Sequence, residues 1–97
     1  MARVIPSPAA KADLEEIRDY SVEQYDAVVA DAYFLGFDAA FDLLAEHPFA
    51  GSEKPELGFA IRCLTHRKHR IFYTVTDDIV LIIRVIHHAR DARRILN

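Results

Sequence analysis

A single cysteine, Cys63, stands in this chain of 97 residues. No internal disulfide can form, and that favours a reducing compartment. Cys63 falls in a predicted strand among apolar neighbours and reads as a buried packing residue rather than a nucleophile. No Cys/His set has zinc spacing, so no metal site is expected. There is no Gly-rich phosphate loop and no serine-nucleophile motif, and no cofactor is expected. Long hydrophobic runs are also missing. The longest uninterrupted one, Ile79 to Ile83, has strand length and falls far short of the roughly 20 residues that span a bilayer. The start, MARVIPSP, has one arginine and no apolar run of signal-peptide length. The expectation is a cytoplasmic protein with no membrane contact. Repeats, low-complexity segments and long linkers are absent, so residues 1–97 are read as one domain.

Charge is present but unevenly placed. Residues 1–57 carry four basic and twelve acidic side chains, a formal −8. Residues 58–97 carry eight basic and three acidic ones, a formal +5, and the two halves give the −3 of the chain. Such asymmetry points to one positive face on a negative body.

The periodicities outline the elements. Residues 2–6 read as a short edge or terminal strand ended by Pro6. Ser7-Pro8 can cap and open a helix to about Gln24, with a narrow apolar stripe of Ala10, Leu14, Ile17 and Ser21. A break near Tyr25-Asp26 precedes a second helix over about 27–47, striped by Ala30, Tyr33, Phe37, Ala40 and Leu44. Gly36 inside it costs about 1 kcal/mol relative to alanine, which suggests close approach of another helix. Two helices with so short a link form an antiparallel hairpin. Residues 48–58, with two prolines and two glycines, read as a loop. Strands follow at about 59–65, 69–76 and 79–87. Simple alternation in the last places Ile79, Leu81, Ile83, Val85 and His87 on one face and Val80, Ile82, Arg84 and Ile86 on the other. Both faces are apolar, so this strand belongs inside the sheet. The connections are too short for crossovers, so the strands form an antiparallel meander. The expected fold is α+β: an N-terminal strand, a helical hairpin packed on a small antiparallel sheet (β-α-α-β-β-β), and a short C-terminal tail or helix.

Chemistry-bearing residues gather at the C-terminal end. Arg62 and Arg84 sit mid-strand, where a charge needs a partner or a site. Both could be salt-bridged to the acidic hairpin. Arg70 is a third strand arginine. Turns and tail add Arg67, Lys68, Arg90, Arg93 and Arg94, and guanidinium forks suit phosphate oxygens. His66, His69, His87 and His88 could transfer protons near neutral pH. His66 and His69 flank a turn and are expected to be solvated. His87 and His88 are adjacent in a strand and should point to opposite faces. Tyr73, between Ile71 and Val75, is expected in the core.

Taken in order, SPAAKADLEEIRDY opening the first helix, the P-x-x-G turn from Pro48 to Gly51, RIFYTV, and IIRVIHHARD resemble the ParE/RelE superfamily of bacterial toxins. The resemblance runs over nearly the whole chain and is closer to ParE. It implies the toxin of a type II toxin–antitoxin pair, a non-catalytic inhibitor of DNA gyrase. It also implies neutralisation by a ParD-like antitoxin in a hetero-oligomer, with no sequence-specific nucleic-acid binding by the toxin alone. The target-binding region carried over is the last two strands and the tail: Arg84, His87, His88, Arg90, Arg93 and Arg94. A RelE-like member would instead be a metal-independent mRNA endonuclease of the ribosome, and His66, Arg70, Arg84 and His87 would be its catalytic candidates. Against this stand the acidic balance, which suits ribosomal RNA poorly, and Glu53-Lys54-Pro55-Glu56 where such nucleases carry a dense basic set. A third alternative is a non-toxic relative that only binds an antitoxin.

Overall fold

The computed structural model describes residues 1–96; Asn97, the last residue of the expected domain, lies outside them. The elements are β1 (Arg3–Pro6), α1 (Pro8–Gln24), α2 (Ala27–Glu46), β2 (Ser52–Glu53), a single 3-10 turn (Pro55–Leu57), β3 (Arg62–His66), β4 (His69–Thr76), β5 (Ile79–His87) and α3 (Ala92–Leu96). Among the described residues, no helix is long and apolar enough to cross a membrane.

Local chemistry explains the helix ends. The Ser7 hydroxyl accepts from the Ala10 N–H at 3.0 Å and donates to the Ile83 carbonyl at 2.8 Å. It thus caps α1 and pins its start to β5. Tyr25 ends α1, and the Asp26 carboxylate caps α2 by accepting from the Val29 N–H at 2.9 Å. The α2 stripe is the buried face, with Ala30, Phe37, Ala40 and Leu44 inside and Tyr33 half-buried.

The sheet order is β1-β5-β4-β3-β2. The β3–β4–β5 meander is antiparallel and β5 is interior, as its two apolar faces require. β1 pairs with β5 in parallel, Arg3 opposite Ile79 and Pro6 opposite Ile82. The sheet is therefore mixed, a correction to the antiparallel expectation. Parallel neighbours need a long crossover, and here the helical hairpin and the other strands lie between them in the chain. Residues 48–58 are also not wholly loop, since β2 adds two residues to the edge of β3. β3 starts three residues later than the 59–65 reading.

The sheet separates two apolar clusters. One, under the helices, holds Phe37, Leu44, Ile71, Tyr73, Val80, Ile82 and Val85. The other holds Cys63, Phe72, Ile86 and Ala92, with Leu57 and Ile95 packed against it. Simple alternation along β5 fails midway. Phe72 pairs with Arg84 but Tyr73 pairs with Ile82, so Ile83 is an extra residue in a β-bulge. Val85 therefore joins Val80 and Ile82 in the helix-side cluster, against the face assignment made by alternation.

Gly51 is required by close approach. A Cβ there would stand 2.6 Å from the Tyr73 hydroxyl and 2.7 Å from the Cys63 carbonyl oxygen. The Gly51 N–H donates to that hydroxyl at 2.8 Å, so the P-x-x-G turn also satisfies the phenol of a fully buried tyrosine.

Candidate functional site

Where β1 ends at Pro6, the edge of β5 is taken over by a side chain. Asp13 of α1 is only 7% exposed. Its Oδ2 accepts from the Val85 N–H at 2.9 Å and from Arg84 Nε at 2.7 Å, and its Oδ1 accepts from Arg84 Nη2 at 2.8 Å. This bidentate pairing raises the Arg84 pKa further above its ordinary value, against the opposing effect of burial. Arg84 is thus engaged by the hairpin, the salt-bridged alternative for a mid-strand arginine. Arg62 is engaged too, not by the hairpin as expected but by Glu53 of β2 at 3.3 Å and by the carbonyls of Gly51 and Phe49. Asp13 was not among the sequence candidates, although its position, three after Ala10 and four before Ile17, puts it on the α1 stripe.

Beyond the bulge, the sheet end and α2 assemble a row of rings. The Tyr33 hydroxyl of α2 hydrogen-bonds with Nδ1 of His69. His66 packs edge-on against Phe37 with centroids 4.7 Å apart, and against Tyr33 at 5.7 Å. His69 meets His87 edge-on at 5.4 Å, and His87 stacks on His88 at 4.5 Å. Three expectations are corrected here. His66 and His69 are half-buried rather than solvated, because α2 covers the β3–β4 turn. His87 and His88 share a side because β5 stops at His87, where the period of two lapses. Gly36 is approached not by another helix but by His66 of β3: a Cβ there would lie 2.6 Å from the imidazole.

Burial sets the protonation of this row. His69 is pushed down to about 4 by desolvation, reinforced by His87, His66 and His88. His66 is also held below the ordinary histidine value, first by burial and then by Arg67. Burial raises the Tyr33 phenol and the Cys63 thiol. Raised in this way, Cys63 is a poor thiolate, in keeping with its packing role. His87 Nδ1 accepts from the Ala89 N–H at 3.1 Å.

A groove of about 590 Å³ opens beside the row, between the hairpin and the sheet end. Tyr20, Tyr25 and Val29 form its apolar wall, and Arg67, Lys68 and Arg90 its basic rim. Of the residues predicted to meet a target, His87 and Arg90 line this groove, and His88, Arg93 and Arg94 are exposed nearby in sequence. Arg84 is set apart by Asp13. The nuclease candidates are divided in the same way. His66 faces α2, Arg84 is paired, and Arg70 lies over Phe72 of the opposite cluster with its Nη2 donating to the Arg90 carbonyl at 2.9 Å. Tyr33 was missed as a groove residue, since a tyrosine in a core stripe gives no sign that its hydroxyl reaches a histidine.

The helical hairpin on this mixed sheet is a fold shared with solved toxin–antitoxin proteins. The solved chromosomal ParDE TA system from P. aeruginosa superposes with a TM-score of 0.77 at 20% identity, covering 90% of this chain and 96% of that one. The heterotetrameric YoeB–YefM toxin–antitoxin complex from Staphylococcus aureus gives a TM-score of 0.61 at 17% identity, over 91% and 98%. In sequence, the model of the ParE toxin of the type II toxin–antitoxin system parDE matches residues 4–92. Toxin ParE1 of Mycobacterium tuberculosis is 33% identical over 94 residues, 96% of each chain. Toxin ParE1 of Caulobacter vibrioides is 36% identical over 87 residues, 90% of each. Toxin RelE2 of the same organism is 36% identical over 92 residues, 93% of this chain and 99% of that one. The chain belongs to the ParE family of type II toxins.

Proposed function

We propose that this toxin inhibits DNA gyrase as a binding poison, leaves the chemistry to gyrase, and is neutralised by a cognate ParD-like antitoxin in the cytoplasm. One observation carries the reading. The four groups a ribonuclease would need, His66, Arg70, Arg84 and His87, do not converge on one phosphate position. His66 is packed under α2, Arg84 is committed to Asp13, and Arg70 is on the other face of the sheet. General acid–base cleavage needs its acid, base and cations within reach of one another. The exposed His88, Arg90, Arg93 and Arg94 instead offer a surface, and surface complementarity is what a poison requires. An antitoxin partner is supported by the similar folds, found in a ParDE system and in a YoeB–YefM toxin–antitoxin complex. A partly disordered acidic segment folding against the basic rim suits that role. The ribonuclease is the second reading, favoured by the similarity to a toxin named RelE2.

The test is a supercoiling assay with purified toxin and gyrase, run beside cell-free translation. Inhibited supercoiling, unaffected translation and induction of the DNA-damage response on expression are expected. Folded His66→Ala and His87→Ala variants should each keep most of the toxicity. Prompt mRNA cleavage at the ribosome, lost in either variant, would replace this reading with the nuclease. Co-expression with the product of an adjacent antitoxin gene should yield a stable, harmless complex.

A further inference from the structure

The cations of the groove between the hairpin and the sheet end are held by the backbone around them. Arg67 sits in the β3–β4 turn in the left-handed region, φ 53°, with its guanidinium 5.9 Å from the centroid of the Tyr33 ring. The carbonyl of Lys68 accepts from the His88 N–H at 2.8 Å. Arg90 is fixed twice: its N–H donates to the His87 carbonyl at 3.0 Å, and its own carbonyl accepts from Arg70. Turn and tail are thus tied together, and Arg67, Lys68 and Arg90 leave them on one rim. None of these three belongs to an ion pair among the described residues. His87 adds a donor to the same rim. Its Nδ1 accepts from the Ala89 N–H, so the proton of the neutral ring is on Nε2.

The opposite wall has a different chemistry. It comes from α1 and from the link to α2, and it presents Tyr20 and Tyr25, which are 61% and 54% exposed. Glu16 lies four residues before Tyr20, on the same face of α1. Asp13 is committed to Arg84, so Glu16 is the groove carboxylate outside an ion pair among the described residues. The groove therefore joins a cationic rim, two bare phenol rings and a carboxylate acceptor in about 590 Å³, a volume that suits a small-molecule ligand of nucleotide size. Each part has a counterpart in a nucleotide. Phosphate oxygens pair with guanidinium and ammonium groups. A flat base stacks on aromatic rings, and an amino group on the base edge donates to a carboxylate. A simple polyanion uses the rim alone and leaves the rings and Glu16 idle.

We propose that this groove binds a free purine nucleoside triphosphate, with its phosphates on Arg67, Lys68 and Arg90, its base against Tyr20 and Tyr25, and its amino group on Glu16. The binding is non-covalent and breaks no bond of the nucleotide. It does not depend on the gyrase reading, so a failed supercoiling assay leaves it intact.

The test uses the purified full chain at physiological salt. Calorimetric titrations with ATP, GTP, UTP, inorganic tripolyphosphate and hexaglutamate are run beside NMR of the tyrosine rings. ATP or GTP should bind at least about tenfold more tightly than tripolyphosphate and UTP, and should shift the Tyr20 and Tyr25 ring resonances. Arg67→Gln/Lys68→Gln should weaken binding of the purine about tenfold. Tyr25→Ala should weaken it about fivefold and leave tripolyphosphate unchanged. Glu16→Gln should weaken the purine about fivefold without weakening tripolyphosphate, which makes no bond to the carboxylate. Arg3→Gln/Lys11→Gln, a matched loss of two charges outside the groove, should alter binding less than about twofold. Absence of binding by both purines at millimolar concentration would overturn the proposal. So would tripolyphosphate or hexaglutamate binding as tightly as the purines, unmoved tyrosine resonances, or equal losses in Arg3→Gln/Lys11→Gln and the groove variants.

Discussion

Replacing Asp13 should be among the most damaging polar substitutions in this protein. Asp13→Ala removes both acceptors of the Arg84 guanidinium and the acceptor of the Val85 N–H at once. Breaking a buried ion pair by removing one partner costs about 3–5 kcal/mol. The Arg84 side chain is 25% exposed, so part of its charge can rehydrate, and the lower end applies. Orphaning the buried Val85 N–H adds about 1 kcal/mol or more, giving a total of about 4 kcal/mol. That is a large share of the roughly 5–15 kcal/mol available to such a domain, and the melting temperature should fall by at least about 15 °C. Asp13→Asn keeps an oxygen for Val85 and should cost about half as much. Asp13→Leu/Arg84→Met removes the stranded charge and should recover stability relative to Asp13→Ala. Urea unfolding monitored by circular dichroism measures all three. A loss below about 1 kcal/mol for Asp13→Ala at unchanged m-value would refute the argument, as would strict additivity in the Asp13/Arg84 double-mutant cycle.

Three further outcomes are expected. His69 titrates near 4 in the fold and near 6.5 when unfolded, so the unfolded chain binds more protons between these values. Its stabilising effect is complete above about pH 6.5 and lost as pH falls to about 4. Partial exposure reduces that loss to about 1–2 kcal/mol, and His69→Gln should flatten the acid limb of a stability–pH curve. Gly36→Ala should destabilise by about 1 kcal/mol despite better helix propensity, because the new methyl meets the His66 ring, and Gly36→Ala/His66→Ala should reverse the loss in thermal melts. An Arg90→Ala/Arg93→Ala/Arg94→Ala triple variant should stay within about 0.5 kcal/mol of wild-type stability yet lose growth inhibition, since these side chains are exposed; full toxicity of the folded variant would remove the tail from the target face.

Much of the framework is local and was readable without coordinates. Ser7-Pro8 starts α1, Tyr25-Asp26 divides the helices, the 3/4 spacing from Ala30 to Leu44 marks the buried face of α2, and the apolar β5 had to be interior. The grouping of His87, His88, Arg90, Arg93 and Arg94 at one end also followed from their order along the chain. These features depend on periods of 3.6 and 2.0 and on the chemistry of caps. Only tertiary structure decided the rest. The parallel β1–β5 pairing joins residues more than seventy positions apart, and no local signal encodes such a register. The bulge at Ile83 shifted Val85 to the helix side, and the packing of α1 on β5 set Asp13 against Arg84. The ring row of Tyr33, His66, His69 and His87 draws on α2, β3, β4 and β5, and the depressed pKa of His69 exists only once those elements exclude water. Arg70, one of four strand arginines, was fixed over Phe72 and against the Arg90 carbonyl only by the packing of the tail on the sheet. Composition and spacing set which side chains reach the C-terminal end; the packing of four separate elements set which of them are committed and which are left free to bind.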